Sequence, residues 1–293
     1  MFHRLFMLPL LVLPLLLWGC PVDDDDVADD DASGDDDTGD DDTGDDDTGD
    51  DDTGDDDTTP PVEPYLTGYV YDVTCTDPVV GVRVTFCQVA CTFKDTDSDG
   101  KFIFGGLDSA PGLFDVIGHV NPDGKYYTGI AWTLDIPESG FVEAPVTCLP
   151  EIDSLVDVPS GTNDVAVGDD LILTVNPDDV EWLLGEPKLG AAEVPDSAWQ
   201  FVDLEGVDVF GVWALYAWGN VLNEEVEDRV GINLPVRGDL DTGDPVTIYG
   251  MSHDEGGFHE IASATVTGGD LRVVTDPGQG LNEFTWIAYG VPE

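Results

Sequence analysis

Five near-identical copies of Asp-Asp-Asp-Thr-Gly, beginning at Asp35, Asp40, Asp45, Asp50 and Asp55, limit what this chain can fold into. Between Asp23 and Asp57 there are 22 aspartates and no lysine or arginine. Such a stretch has almost nothing apolar to bury, and its like charges repel along the backbone, so it cannot gather a core. A period of five is also too short for any stacked repeat unit. Residues 20–61 are therefore expected to form a disordered tether. About 40 residues of this kind reach roughly 130 Å when fully extended.

Charge dominates the rest of the chain as well. Acidic residues outnumber basic ones 63 to 9, and 41 of the acids lie outside the aspartate run. A surface of that sign repels phosphates and anionic headgroups, which excludes nucleic acid as an expected partner. It favours solubility, bound cations or basic partners. Ordered calcium in the tether would need spaced ligands closed by a bidentate Glu, and no copy of the repeat supplies them.

Ahead of the tether, Met1-Phe2-His3-Arg4 makes a short positive segment and Leu5 to Trp18 an apolar one. Fourteen residues are too few to cross the roughly 30 Å of bilayer hydrocarbon comfortably as a helix, so residues 1–19 read as a cleaved export signal. Leu17-Trp18-Gly19-Cys20 resembles the lipobox of bacterial lipoproteins, with Trp18 standing where a small residue is usual. That resemblance implies lipid attachment at Cys20 and a partner in the membrane through the anchor. The implied address is a bacterial cell envelope, at the outer membrane or cell surface.

After the stiff segment Thr59-Pro60-Pro61-Val62-Glu63-Pro64, short alternating runs divided by Gly, Pro and Asp predict strands. They cover Leu66 to Asp72, Val82 to Gln88, Cys91 to Lys94, Lys101 to Phe104, Leu113 to His119, Tyr126 to Leu134 and Phe141 to Leu149. A second set covers Asp170 to Val175, Phe210 to Trp218, Arg229 to Val236, Pro245 to Tyr249, Gly257 to Ala262, Asp270 to Val274 and Leu281 to Ala288. No segment sustains a helical period. The expected fold class is all-β: two consecutive antiparallel β-sandwich domains, residues 62–150 and 151–293, after the tether.

Gly68-Tyr-Val-Tyr-Asp72, Val80-Gly-Val-Arg-Val84, Thr96-Asp-Ser-Asp-Gly-Lys-Phe102, Gly106-Leu107 and Pro111-Gly-Leu-Phe-Asp-Val116 together resemble the carboxypeptidase regulatory-like domain, a transthyretin-like sandwich. The resemblance spans about Leu66 to Pro150. It implies a spacer or a module that contacts carbohydrate, peptide or protein, without catalytic residues. The order Leu-Pro, then Val-Thr-Ile-Tyr, then a late Phe makes Glu224 to Tyr289 similar to ZU5-like β modules, which implies a structural or interaction role.

The four cysteines beyond Cys20 are Cys75, Cys87, Cys91 and Cys148. An even number in an exported chain reads as two disulfides with three possible connectivities. Pairing Cys87 with Cys91 across a tight turn would leave Cys75 to join Cys148.

Candidate sites are few. Asp95, Asp97 and Asp99 copy the opening of an EF-hand loop, but Gly106 stands where the closing Glu belongs, so turn chemistry suffices. His253, Asp254, Glu255, His259 and Glu260 could gather round a metal, and a metal-dependent enzyme would have to be built there. Ser252-His253-Asp254 has triad letters in an order whose neighbours point apart. Ser98 to Lys101 copies Ser-x-x-Lys without the helix that motif needs. Arg237-Gly238-Asp239 copies an adhesion tripeptide in an ordinary turn. Trp213 and Trp218 suggest a sugar platform, but strand alternation puts them on opposite faces and predicts core packing. No catalytic site, metal or cofactor is expected, calcium being the one possible exception. The expected function is a non-catalytic envelope lipoprotein whose sandwiches bind an envelope protein or glycan, the alternative being a structural spacer.

Overall fold

The computed structural model of the chain describes residues 63–117, 124–183, 185–199, 202, 204–216, 218–223 and 229–293. The signal segment, Cys20 and the tether lie outside these residues. Among them the regular structure is strand apart from two 3-10 turns, Pro177–Asp179 and Asp196–Ala198. No helix among them is long and apolar enough to cross a membrane.

The first body contains β1 (Tyr65–Asp72), β2 (Arg83–Cys87), β3 (Cys91–Asp95), β4 (Lys101–Gly105), β5 (Pro111–Ile117), β6 (Tyr126–Tyr127), β7 (Ile130–Asp135), β8 (Phe141–Glu143) and β9 (Thr147–Leu149). One sheet runs β4-β1-β8, with β9 also paired to β1, and a second runs β3-β2-β5-β7. Leu66, Val70, Phe102 and Phe104 from the first meet Val84, Phe86, Phe114 and Val116 from the second. This is the expected two-layer core, in which every second residue points inward. The pairing is not purely antiparallel, because β8 and β9 both run parallel to β1.

The disulfides join Cys75 to Cys148 and Cys87 to Cys91. The second pair closes a hairpin in which Cys87 and Cys91 are direct cross-strand partners. The first ties the turn after β1 to β9, where Cys148 is paired in register with Tyr71.

Beyond it come β10 (Glu151–Ile152), β11 (Val156–Asp157), β12 (Asn163–Val167), β13 (Leu171–Val175), β14 (Val180–Glu181), β15 (Lys188–Glu193), β16 (Val207–Tyr216) and β17 (Asn220–Leu222). The last are β18 (Gly231–Pro235), β19 (Pro245–Met251), β20 (Phe258–Thr267), β21 (Arg272–Thr275), β22 (Glu283–Phe284) and β23 (Trp286–Pro292). Ten of these form one antiparallel sheet, in the order β11-β15-β16-β23-β19-β20-β21-β18-β13-β12. The sheet curls until its ends approach, so its sandwich-like core comes from one sheet folding over itself. At the seam the Glu193 backbone N–H donates to Asp169 Oδ2 at 2.7 Å. A Cβ on Gly168 would sit 2.1 Å from the Ala191 carbonyl oxygen, so only glycine allows this approach.

The central strands of the curled sheet are buried on both faces. Trp213, Leu215, Ile248, Ile287 and Tyr289 fill its interior. Val212, Ala214, Tyr249, Met251, Trp286 and Ala288 join the core of the first body instead. The first body therefore lies on the outer face of β16, β23 and β19, and the chain from Asp57 onward forms one compact unit. The bodies also share backbone pairing, since β10 bonds to β6.

Candidate functional site

The expected loops fold locally, and none of them assembles a metal site. In the turn that carries the chain from β3 to β4 in the other sheet, Asp97 Oδ1 accepts from the backbone N–H groups of Asp99 and Lys101, both at 2.9 Å. Asp95 turns to Arg83 on the neighbouring strand. The three aspartates thus serve a turn and a cross-strand ion pair. Ser98 lies in this same turn and Lys101 begins β4, so the two start no helix. Among the described residues, no three His, Cys, Asp or Glu side chains converge as ligands.

His253 and His259 flank the turn that joins β19 to β20. Ser252 Oγ accepts from the Glu255 backbone N–H at 3.0 Å. The His253 imidazole points to Asp254 Oδ1 at 3.2 Å and Glu283 Oε1 at 3.4 Å. These three letters therefore form a hydroxyl-capped turn, without the hydroxyl-to-imidazole geometry of a nucleophilic triad. Beside the turn is a cavity of about 390 Å³, lined by Met251, Ser252, Asp254, Glu255, His259 and Glu283 among others. Glu283, which no sequence motif marks, also lines this cavity. Burial pushes its carboxyl up to about 7, the His253 backbone N–H opposes that shift, and the Asp254 charge adds to it.

The arginine of Arg237-Gly238-Asp239 is held inside the protein's own network. Its guanidinium makes two 2.7 Å bonds to Glu193 and lies 5.9 Å from the centre of the Trp213 ring. Its backbone N–H donates to the Tyr289 hydroxyl. Trp213 on β16 and Trp218 in the turn after it are both buried, in different core clusters, in keeping with the expected core packing.

Exposed aromatic surface lies instead on the outer face of β4-β1-β8. Alternation along β1 turns Leu66 and Val70 inward and leaves Tyr65, Thr67, Tyr69 and Tyr71 on the other side. Register sets Phe141 beside Tyr65, Ile103 and Glu143 on either side of Thr67, and Lys101 beside Tyr69. Tyr65 and Phe141 stack at 5.7 Å, and Tyr69 and Tyr71 at 6.0 Å with an interplanar angle of 15°. Lys101 Nζ lies 5.9 Å from the centre of the Tyr69 ring. Phe141 is 61% exposed and Ile103 50% exposed, and the three tyrosines between them are half-buried. A row of near-parallel rings with polar groups at its margins can stack on flat, weakly polar ligands while the margins hydrogen-bond them. The sequence signal was Tyr65, Tyr69 and Tyr71 at even spacing on one strand.

No protein-family model matches this chain, and no curated protein is significantly similar to it.

Proposed function

We propose that this protein is a non-catalytic binding module of a bacterial envelope, lipid-anchored through Cys20 and carried on the acidic tether, and that it binds a neutral glycan along β1. The observation that carries this reading is the strip of half-buried Tyr65, Tyr69 and Tyr71 with exposed Phe141 beside them. Pyranose rings present flat C–H faces that pack against aromatic rings, and Thr67, Lys101 and Glu143 offer hydrogen-bonding groups alongside. The net charge of −54 disfavours anionic polymers at long range and leaves neutral ones unopposed. The first body's resemblance to the carboxypeptidase regulatory-like domain supports a contact module over an enzyme.

The test is a glycan array probed with the full chain, wild type and Tyr69→Ala/Tyr71→Ala. The expected result is a neutral glycan whose affinity falls at least about tenfold in the variant, with an unchanged melting temperature. Capture of an envelope protein alone would replace the glycan, and binding to neither would leave the chain a structural spacer.

A further inference from the structure

Asp115 of the first body and Glu283 of the second are two poorly exposed carboxyl groups near enough for the Glu283 charge to act on Asp115. Asp115 is at the centre of β5, in register with Thr85 and Ala131, and points away from the inward-facing Phe114 and Val116. In a free sandwich that position would face water. Here the second body covers it, and Asp115 is only 8% exposed. Trp218 directs its indole toward the carboxyl without forming a hydrogen bond of normal geometry, and Asp115 Oδ1 has no partner among the protein atoms. Opposite stands Glu283 of β22, whose side chain is 18% exposed. Its Oε1 also lacks a hydrogen bond, the His253 imidazole being 3.4 Å away. The other charged or titratable groups on this side are Asp254, Glu255 and His259 around the cavity. Among the described residues, the lysine and arginine ion pairs all lie elsewhere.

We propose that this contact is an acid-tightened clasp: protonated Asp115 of β5 and Glu283 of β22 help to hold the first body on the second, and their ionisation loosens it. Buried like charges destabilise an interface, and the His253 imidazole, 3.4 Å from Glu283, can offset only one of them, whereas a carboxylic acid can donate a hydrogen bond. Burial, the largest cause for each, pushes both groups up to about 7. For Asp115 the Trp218 indole works against that shift and the Glu283 charge adds to it. The folded form therefore holds protons that the unfolded chain releases. Their contribution is complete below the ordinary values of 3.8 and 4.5 and is lost as pH rises through about 7.

The contacts that would yield first are those of the turn after β19 with β7. Gly257 N–H donates to the Ala131 carbonyl at 3.2 Å, and Thr133 Oγ1 donates to the Glu255 carbonyl at 2.9 Å. Releasing them frees the wall of the cavity that carries Asp254 and Glu255.

The experiment uses the full chain, wild type, Asp115→Asn and Glu283→Gln, with melting and hydrogen exchange followed at about pH 5 and about pH 8. Glu260→Gln, an exposed site, controls for net charge. The wild type should lose about 5 °C or more of melting temperature at the higher pH, and each amide variant about half of that. After correction for intrinsic rates, peptides from β5, β7 and residues 251–257 should exchange faster at the higher pH in the wild type only. If Asp115→Asn fails to fold at the lower pH, Glu283→Gln decides. The proposal is overturned if both folded variants keep the wild-type pH dependence, if Glu260→Gln flattens it equally, or if exchange in those peptides ignores pH.

Discussion

Cutting the Cys75–Cys148 bridge should destabilise the protein far more than cutting Cys87–Cys91. The bridges close segments with sequence separations of 73 and 4. Loop-closure entropy then assigns about 4 kcal/mol to the long bridge and about 2 kcal/mol to the short one at 25 °C. Local structure widens the gap. Cys148 is fully buried on β9, so Cys148→Ala also leaves a small cavity, whereas Cys91 lies on an exposed hairpin strand. Cys75 adds a second handle, because its φ of 58° is left-handed backbone. Alanine at position 75 would keep that strain, and glycine would relieve about 1 kcal/mol of it.

The assay is urea unfolding under non-reducing conditions, followed by tryptophan fluorescence, with the wild type, Cys87→Ala/Cys91→Ala, Cys75→Ala/Cys148→Ala and Cys75→Gly/Cys148→Ala. The expected order of stability is the order in which they are written, except that the glycine variant should exceed its alanine counterpart. Equal losses from the two bridges, or a larger loss from the hairpin, would refute the loop-length reasoning.

Two further outcomes concern packing. Trp286→Phe removes the buried 2.9 Å hydrogen bond from Nε1 to Thr128 Oγ1, which links β23 to the first body, and should cost about 2–3 kcal/mol in denaturant unfolding. Gly168→Ala sets a methyl group against the Ala191 carbonyl and should destabilise by about 2 kcal/mol, with faster hydrogen exchange in β15 than in β20.

Much of the strand pattern is legible in the sequence because one face of most strands is wet. Leu66, Val70, Phe102 and Phe104 alternate with outward residues, so β1 and β4 declare themselves. Phe210 to Trp218 reads as doubly buried, and β16 is, with one core on each face. The strand expected over Tyr126 to Leu134 is two strands in different sheets, because the chain changes layers at Thr128-Gly129, where Gly129 packs against the Trp218 ring. β15 was hidden by its composition. Lys-Leu-Gly-Ala-Ala-Glu lacks β-formers because Gly190 lies against Ile152 and Leu155. β12 escaped for a different reason, as the two short apolar residues Val165 and Val167 make a weak signal. Asp115 was the least legible site residue. On β5 it has the alternation of an ordinary solvent-facing aspartate, and only the second body's position on that face buries it.

The place of β23 in the ten-stranded sheet also orders events in time. This strand, residues 286–292, stands between β16 and β19, so the sheet without it is a three-strand piece and a six-strand piece. Each piece presents an open hydrogen-bonding edge, and β16 and β19 carry the apolar residues of two cores. During synthesis nearly the whole body must emerge before the strand that joins these pieces becomes available. Until then the nascent chain is a pair of sticky half-sheets, and a dense negative charge at its leading end helps to keep such chains apart.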